Sequence, residues 1–244
     1  MLLLFDIDGT LLIGAADAHR DAIHEALRVV HGVSDPDHAG MQVAGRTDAD
    51  IARMLLTNDG VPAAVIDERA DDVRIAACEA YGRLCPADLS ATVAPGMAGL
   101  LGRLGAREGT ILSLVTGNFE PIARMKLAAA GIGQAFARGQ GGFGSDHEAR
   151  AELPAIARRR AGRLRTGDQR PWPREHTVLI GDTPRDIACA RADDIRVIAI
   201  ATGPHRVDDL RQADAVARDA GELGEVLERW LASRDTARPH LLGE

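Results

Sequence analysis

Residues 5–10 read FDIDGT and follow the apolar run MLLL directly, so Asp6 and Asp8 stand two residues apart where a buried strand would run out. Such a pair has two readings. One is an acidic turn that solvates a strand end. The other is a catalytic couple, in which one carboxylate attacks an electrophile and the second moves a proton. An extended chain sends side chains i and i+2 to the same side, which lets both groups meet one ligand. Two further stretches end on polar residues in the same way. TILSLVTGN (110–118) closes on Thr116, Gly117 and Asn118, and HTVLIGDT (176–183) closes on Asp182, with Asp186 four residues later.

These stretches, with LLLFD (2–6) and RVIAIATG (196–203), are apolar without the alternation of a half-exposed strand. Continuous runs of this kind suit strands covered on both faces, as in a parallel sheet. Helical patterns lie between them. EPIARMKLAAAGI (120–132) carries Pro near its start and Gly near its end, and TPRDIACARADDI (183–195) has Thr and Pro at its start, the preferences of helix termini. The alternation predicts an α/β core, a doubly wound, Rossmann-like parallel sheet with right-handed crossovers.

Residues 14–91 break that rhythm. Ile23, Leu27 and Val30 recur at helical spacing, and two more helical segments follow with no convincing strand among them. The segment reads as an all-helical cap inserted after the first strand and its turn, with hinges near Ile13 and Ala91. The core would then comprise 1–13 and 92–233, and 234–244 a flexible tail. SDHEARAEL (145–153) opens with Ser145 and Glu148 at capping-box spacing, Pro154 should interrupt the helix it starts, and the Arg-rich stretch 158–175 reads as a loop.

In an open parallel sheet, ligands bind beyond the carboxyl ends of the strands at a topological switch point. Strand ends that converge there bring Asp6, Asp8, Asp182, Asp186 and Thr116 into one small volume. Like charges a few ångströms apart repel strongly in a partly dry site, and a hard divalent ion relieves them. Mg²⁺ takes oxygen ligands, keeps waters and is completed by a substrate phosphate. The clustering therefore implies Mg²⁺ and a phosphoryl group.

Composition narrows the partners. A net charge of −7 over 244 residues argues against a nucleic-acid or anionic-membrane surface, and the Arg-rich stretch reads as a solvated loop. Three cysteines without a CxxC spacing point to a reducing compartment. The first apolar run is too short for a signal peptide and no run approaches a membrane span, so the expected location is the cytoplasm. A monomer and a homodimer are both compatible with the sequence.

FDIDGTL, LVTGN, a lysine in the following helix and IGDTPRDI together resemble the four motifs of the haloacid dehalogenase (HAD) superfamily, from Met1 to about Leu227. The helical insert resembles the C1-type cap of its phosphoglycolate phosphatase-like branch. The resemblance implies that Asp6 is a nucleophile forming an aspartyl-phosphate and that Asp8 is a general acid and then a general base. It implies metal ligation by Asp6, the Asp8 carbonyl and Asp182, with Asp186 in support. It also implies phosphoryl contacts from Thr116, Gly117 and Asn118. A lysine should neutralise Asp6 and the phosphoryl oxygens. The KP sequence that supplies it in many relatives would fall near GGFGSDH (141–147), where no lysine occurs, so the role goes to Lys126.

The implied activity is hydrolysis of a small phosphorylated metabolite. Asp8 favours phosphoester over halide chemistry, because a halide leaves without a proton whereas an alkoxide needs one. The segment 14–91 contains no lysine, which weakens a phosphonatase reading. A sugar-phosphate mutase would keep both aspartates and stays open, as does a non-catalytic phospholigand-binding protein. Arg46, in AGRTDADI, is a candidate for a substrate anion, with a surface arginine before a helix as the alternative. His19 and Arg20, which open the insert, read by default as surface residues.

Overall fold

β1 (Leu2–Phe5) is the axis of the molecule because its four residues are buried on both sides. Leu2 and Leu4 point into one apolar cluster and Leu3 and Phe5 into another, as the pleat requires. Around it form β2 (Ile111–Thr116), β3 (Gly142–Phe143), β4 (Thr177–Gly181), β5 (Arg196–Ile200) and β6 (Ala215–Ala217). All pair in parallel, in the order β3-β2-β1-β4-β5-β6. The chain leaves β1 for β2 on one side and returns for β4 on the other, so the switch point lies between β1 and β4. The doubly wound, Rossmann-like α/β expectation holds. The two outermost strands were not legible: β3 has two residues and β6 three, too few for a periodic signal. The computed structural model describes residues 1–36, 41–166 and 170–235.

Helices cover both faces. α5 (Met97–Ala106), α6 (Glu120–Ala129) and α9 (Ala220–Asp235) pack Leu100, Leu104, Leu127, Leu223 and Leu227 beneath Leu3 and Phe5. α7 (Leu153–Thr166) and α8 (Pro184–Ala192) place Leu153, Ala157, Ala161, Ile187 and Ala190 on the opposite face. Pro154 sits in the first turn of α7, where its missing N–H costs nothing, so it does not interrupt the helix. The expected loop over 158–175 is helical as far as Thr166. Two of its arginines hold acidic partners from within the helix: Arg158 holds Asp193 through Nε and Nη2 at 2.6 and 2.7 Å, and Arg160 holds Asp146 at 2.6 Å. Ser145 caps no helix of its own segment. Its Oγ accepts the Glu120 N–H at 2.8 Å, at the start of α6. Of the expected tail, residues 234–235 continue α9 and 236–244 lie outside the described residues.

Between β1 and α5 the chain forms α1 (Asp17–His31), α2 (Asp48–Asn58), α3 (Ala63–Glu68) and α4 (Ala70–Leu84), with no strand among the described residues. Ile23, Leu27 and Val30 of α1 are buried against Leu55, Val73, Ala77 and Tyr81, in a cluster that also takes in Phe119 and Ile122 at the start of α6. The insert thus has its own apolar centre and shares it with one core helix. Its two connections meet: the Ile13 N–H donates to the Thr92 carbonyl at 2.7 Å, and Leu12 pairs with Val93 in an antiparallel bridge.

Candidate functional site

The turn after β1 is built to crowd carboxylates together. The Ile7 carbonyl accepts from the N–H groups of Leu11 and Leu12 at 2.8 and 2.9 Å, which folds residues 7–12 into a tight loop. Gly9 enters it with φ of +85°, and a Cβ there would lie 2.2 Å from Asp182 Oδ2. Only glycine allows both that conformation and that approach. Asp182 directly follows β4, and its Oδ1 accepts from Thr10 Oγ1 at 3.0 Å. Asp6, Asp182 and Asp186 are all buried, with carboxylate oxygens within 4.8 Å of one another.

Arg150 lies against this cluster. Its Nη2 is 2.5 Å from Asp186 Oδ1 and 3.1 Å from Asp6 Oδ1. The other Asp186 oxygen, Oδ2, accepts from the Thr183 N–H and Oγ1 at 3.0 and 2.7 Å, closing the capping box of α8. Both oxygens of Asp186 are therefore engaged by the protein, while Asp6 and Asp182 line a cavity of about 550 Å³. Burial, only partly opposed by Arg150 and reinforced by Asp186 and Asp8, raises the Asp6 carboxyl to about 7. Burial, with Asp6 and Asp186 adding to it, raises Asp182 to about 8.

These shifts have a thermodynamic sign. Between the ordinary carboxyl range near 3.8 and the folded values near 7 and 8, the folded chain holds more protons than the unfolded one. Their contribution to stability is present at low pH and is lost as pH rises through 7 to 8. The melting temperature of the protein in EDTA should therefore fall from about pH 4 to about pH 8 and level off above that. A divalent cation that binds the folded state should restore it at the upper end. Melting curves in EDTA and in MgCl₂ across that range check this, and a flat profile in EDTA would contradict it. The donor set fits a hard divalent ion, since Asp6 and Asp182 offer only oxygen and both open to the cavity.

Asp8 lives in different surroundings. Its carboxylate accepts from Lys126 Nζ at 2.8 Å through each oxygen and from Asn118 Nδ2 at 3.0 Å. Burial pushes this carboxyl up, but Lys126, His19 and Asn118 together outweigh it and hold it below the usual range. Lys126 is fully buried on α6. Its Nζ also lies 3.0 Å from His19 Nδ1, and His19 Nε2 lies 3.0 Å from Asp48 Oδ2, which accepts the Phe119 N–H at 2.7 Å. A buried polar chain thus runs from Asp8 through the core helix to the first two helices of the insert.

Thr116 ends β2 on the cavity wall beside Gly117 and Asn118. Gly117 is pressed against the insert: its carbonyl accepts the Asp48 N–H at 2.8 Å, and a Cβ on it would lie 2.0 Å from the Arg46 carbonyl. Further contacts fasten the insert over the cavity. Thr47 Oγ1 donates to the Glu148 carbonyl at 2.6 Å, Arg53 Nε donates to Glu148 Oε1 at 2.5 Å, and Arg185 donates to the Ala44 carbonyl at 3.2 Å.

The structure brings Asp6, Asp8, Thr116, Gly117, Asn118 and Asp182 to one cavity, with Asp186 behind them. Two expectations about the site change. Lys126 was expected to neutralise Asp6, but it pairs with Asp8, and the cation touching Asp6 is Arg150. Arg46 lines the cavity with its guanidinium held by Asp50 at 2.6 Å and the Gln42 carbonyl at 3.0 Å. His19, expected at the surface, is buried beside Tyr81. Arg150 escaped the sequence reading because only lysine was sought near residues 141–147. Any cation in the segment that follows β3 was the usable signal.

A family profile described as haloacid dehalogenase-like hydrolase matches residues 3–191. No curated protein matches the chain. Among solved structures, a candidate β-phosphoglucomutase from Bacteroides vulgatus aligns with a TM-score of 0.65 at 20% identity, over 95% of this chain and 88% of that one. A hydrolase from Pseudomonas syringae aligns with a TM-score of 0.63 at 20% identity, over 94% and 98%. A Clostridium acetobutylicum protein, named a predicted phosphatase, aligns with a TM-score of 0.62 at 15% identity, over 93% and 98%. At these identities the alignments speak for the fold, whereas the profile spans most of the chain and includes both acidic turns. The chain belongs to the haloacid dehalogenase-like hydrolase family.

Proposed function

We propose that the protein is a Mg²⁺-dependent phosphatase that hydrolyses a small phosphate monoester through an aspartyl-phosphate on Asp6. The supporting observation is the division of labour between two carboxylates at the floor of one cavity. Asp6 faces Asp182 with its proton affinity raised, and Asp8 is held ionised by Lys126. Environments that push two acids apart are how one site assigns them separate roles. In the same reading, residues 14–91 form a C1-type cap of the phosphoglycolate phosphatase-like kind, hinged near Ile13 and Ala91.

In the first step an Asp6 carboxylate oxygen attacks phosphorus, the bond from phosphorus to the ester oxygen breaks, and Asp8 gives the departing alkoxide a proton. Asp8 is an anion before substrate arrives. A phosphate dianion set between the two aspartates adds negative charge beside it and raises its proton affinity, so that Asp8 takes up a proton from solvent as substrate binds. In the second step Asp8 takes a proton from water, the water oxygen attacks phosphorus, and the bond to Asp6 breaks, releasing inorganic phosphate. The Thr116 hydroxyl and the backbone N–H groups of residues 117–118 would orient the phosphoryl oxygens. Mg²⁺, held by Asp6, the Asp8 carbonyl and Asp182, would supply positive charge to those oxygens. Asp186 would support the ion indirectly, through the capping box that fixes Asp182's neighbour Thr183.

Phosphate release from p-nitrophenyl phosphate and from alkyl phosphates, with Mg²⁺ and with EDTA, tests this reading. p-Nitrophenolate leaves without a proton, so Asp8→Asn should slow its ester much less in the first step than it slows an alkyl ester. For the alkyl ester the loss should be about 10²- to 10⁴-fold. Equal losses in the first-step rate, read as the burst of nitrophenol or alcohol release, would remove Asp8 as the acid. Isomerised product without phosphate release would point to a mutase, and inertness toward every ester to a binding protein.

A further inference from the structure

The cavity above Asp6 is lined mostly by apolar groups, with its carboxylates gathered at the floor. Its upper wall comes from the insert and its first connection, with Leu12, Ile13, Ile23, Val43, Ile51 and Leu55 along it. Ile13 and Val43 are exposed by 40% and 43% and line the cavity, so both offer apolar surface to an occupant. Most of the polar side chains of the insert that reach this wall already hold protein partners. Arg46 is bonded to Asp50 and the Gln42 carbonyl, Asp48 to His19 and the Phe119 N–H, and Arg20 to Asp17 and Asp21. A hexose phosphate would bring several hydroxyls into this space, and each one stripped of water without a partner weakens binding roughly tenfold. An apolar group loses nothing there and gains contact along the whole wall.

We propose that the substrate's alcohol is apolar, so that the protein acts on alkyl or aryl phosphate monoesters rather than on sugar phosphates. This rests on the phosphatase reading for its chemistry, but the preference belongs to the cavity and can be read without turnover. The phosphoryl group would sit between Asp6, Thr116 and Asp182. The carbon chain would run upward between the first connection and α2, with Ile51 and Leu55 on one side and Ile13 on the other.

Two measurements on the full chain with Mg²⁺ separate the proposals. The first is kcat/KM for phosphate release from ethyl, butyl, hexyl and glucose phosphates. The second is calorimetric binding of ethyl-, butyl- and hexylphosphonate, whose carbon–phosphorus bond this chemistry leaves intact. Both series should tighten about fourfold per added methylene until the wall is covered, and glucose phosphate should fall below butyl phosphate. Ile51→Asn should flatten the gradient, lowering hexyl phosphate about tenfold relative to ethyl phosphate. A flat wild-type series, or a preference for glucose phosphate, overturns the apolar assignment and leaves the phosphatase reading standing. A clear phosphonate gradient without phosphate release from any ester does the reverse.

Discussion

Asp6→Asn is expected to abolish phosphate release from every ester, by at least about 10⁴-fold in kcat, because the amide cannot form the covalent intermediate. The change is isosteric, and the Asp6 N–H bond to the Ile180 carbonyl at 2.9 Å is untouched, so the variant should fold. Melting behaviour separates chemistry from collapse. The substitution removes one of three crowded carboxylates, so in EDTA the variant should melt no lower than wild type at pH 8, and its decline in stability with pH should be shallower. An active variant would end the covalent mechanism, whatever its stability.

Arg150→Met carries the second large effect, and it acts on both activity and stability. Arg150 is the only cation that touches Asp6 among the described residues, and it bridges Asp6 to Asp186 from a buried position. Removing one member of a buried ion-pair network leaves the others uncompensated, at a cost of about 3–5 kcal/mol. Asp6, already raised by burial, would lose the one influence that lowers its proton affinity through charge. The nucleophile would then be less ionised near neutral pH. We expect roughly a 10²-fold loss of kcat/KM, with the acidic limb of its pH profile moved upward. Arg150→Lys should recover part of both, since a point charge can reach one carboxylate but not span two as the guanidinium does. Thermal unfolding and pH–rate profiles of the two variants check this. An Arg150→Met protein with wild-type stability and profile would remove Arg150 from the site.

The distinct surroundings of Asp6 and Asp8 also explain why two cations are needed. Lys126 on α6 and Arg150 just ahead of α7 each serve one aspartate of the acidic turn. Lys126 further ties the site to the insert through His19 and Asp48. Whatever position the insert takes over the cavity is therefore coupled to the hydrogen bonding of Asp8.

Much of this protein was fixed by local sequence. Apolar runs without alternation, each ending in a polar turn, suffice to specify a parallel sheet with both faces covered, because no other arrangement buries such runs completely. They also place Asp6, Thr116 and Asp182 at strand ends, where the switch point gathers them. The helical spacing of Ile23, Leu27 and Val30 marked the insert for the same reason, since a period is a property of consecutive residues. The pairing of charges was decided only by tertiary structure. Lys126 and Arg150 are both cations within reach of the acidic turn in sequence terms. Which carboxylate each one meets depends on the angle at which α6 and the segment before α7 pack onto the sheet. The burial of His19 likewise depends on α1 packing against Tyr81 of α4 and Lys126 of α6, and the apolar wall above Asp6 exists only because α2 and the connection after β1 line the same cavity. Such contacts join residues tens to a hundred positions apart, and no local pattern encodes them.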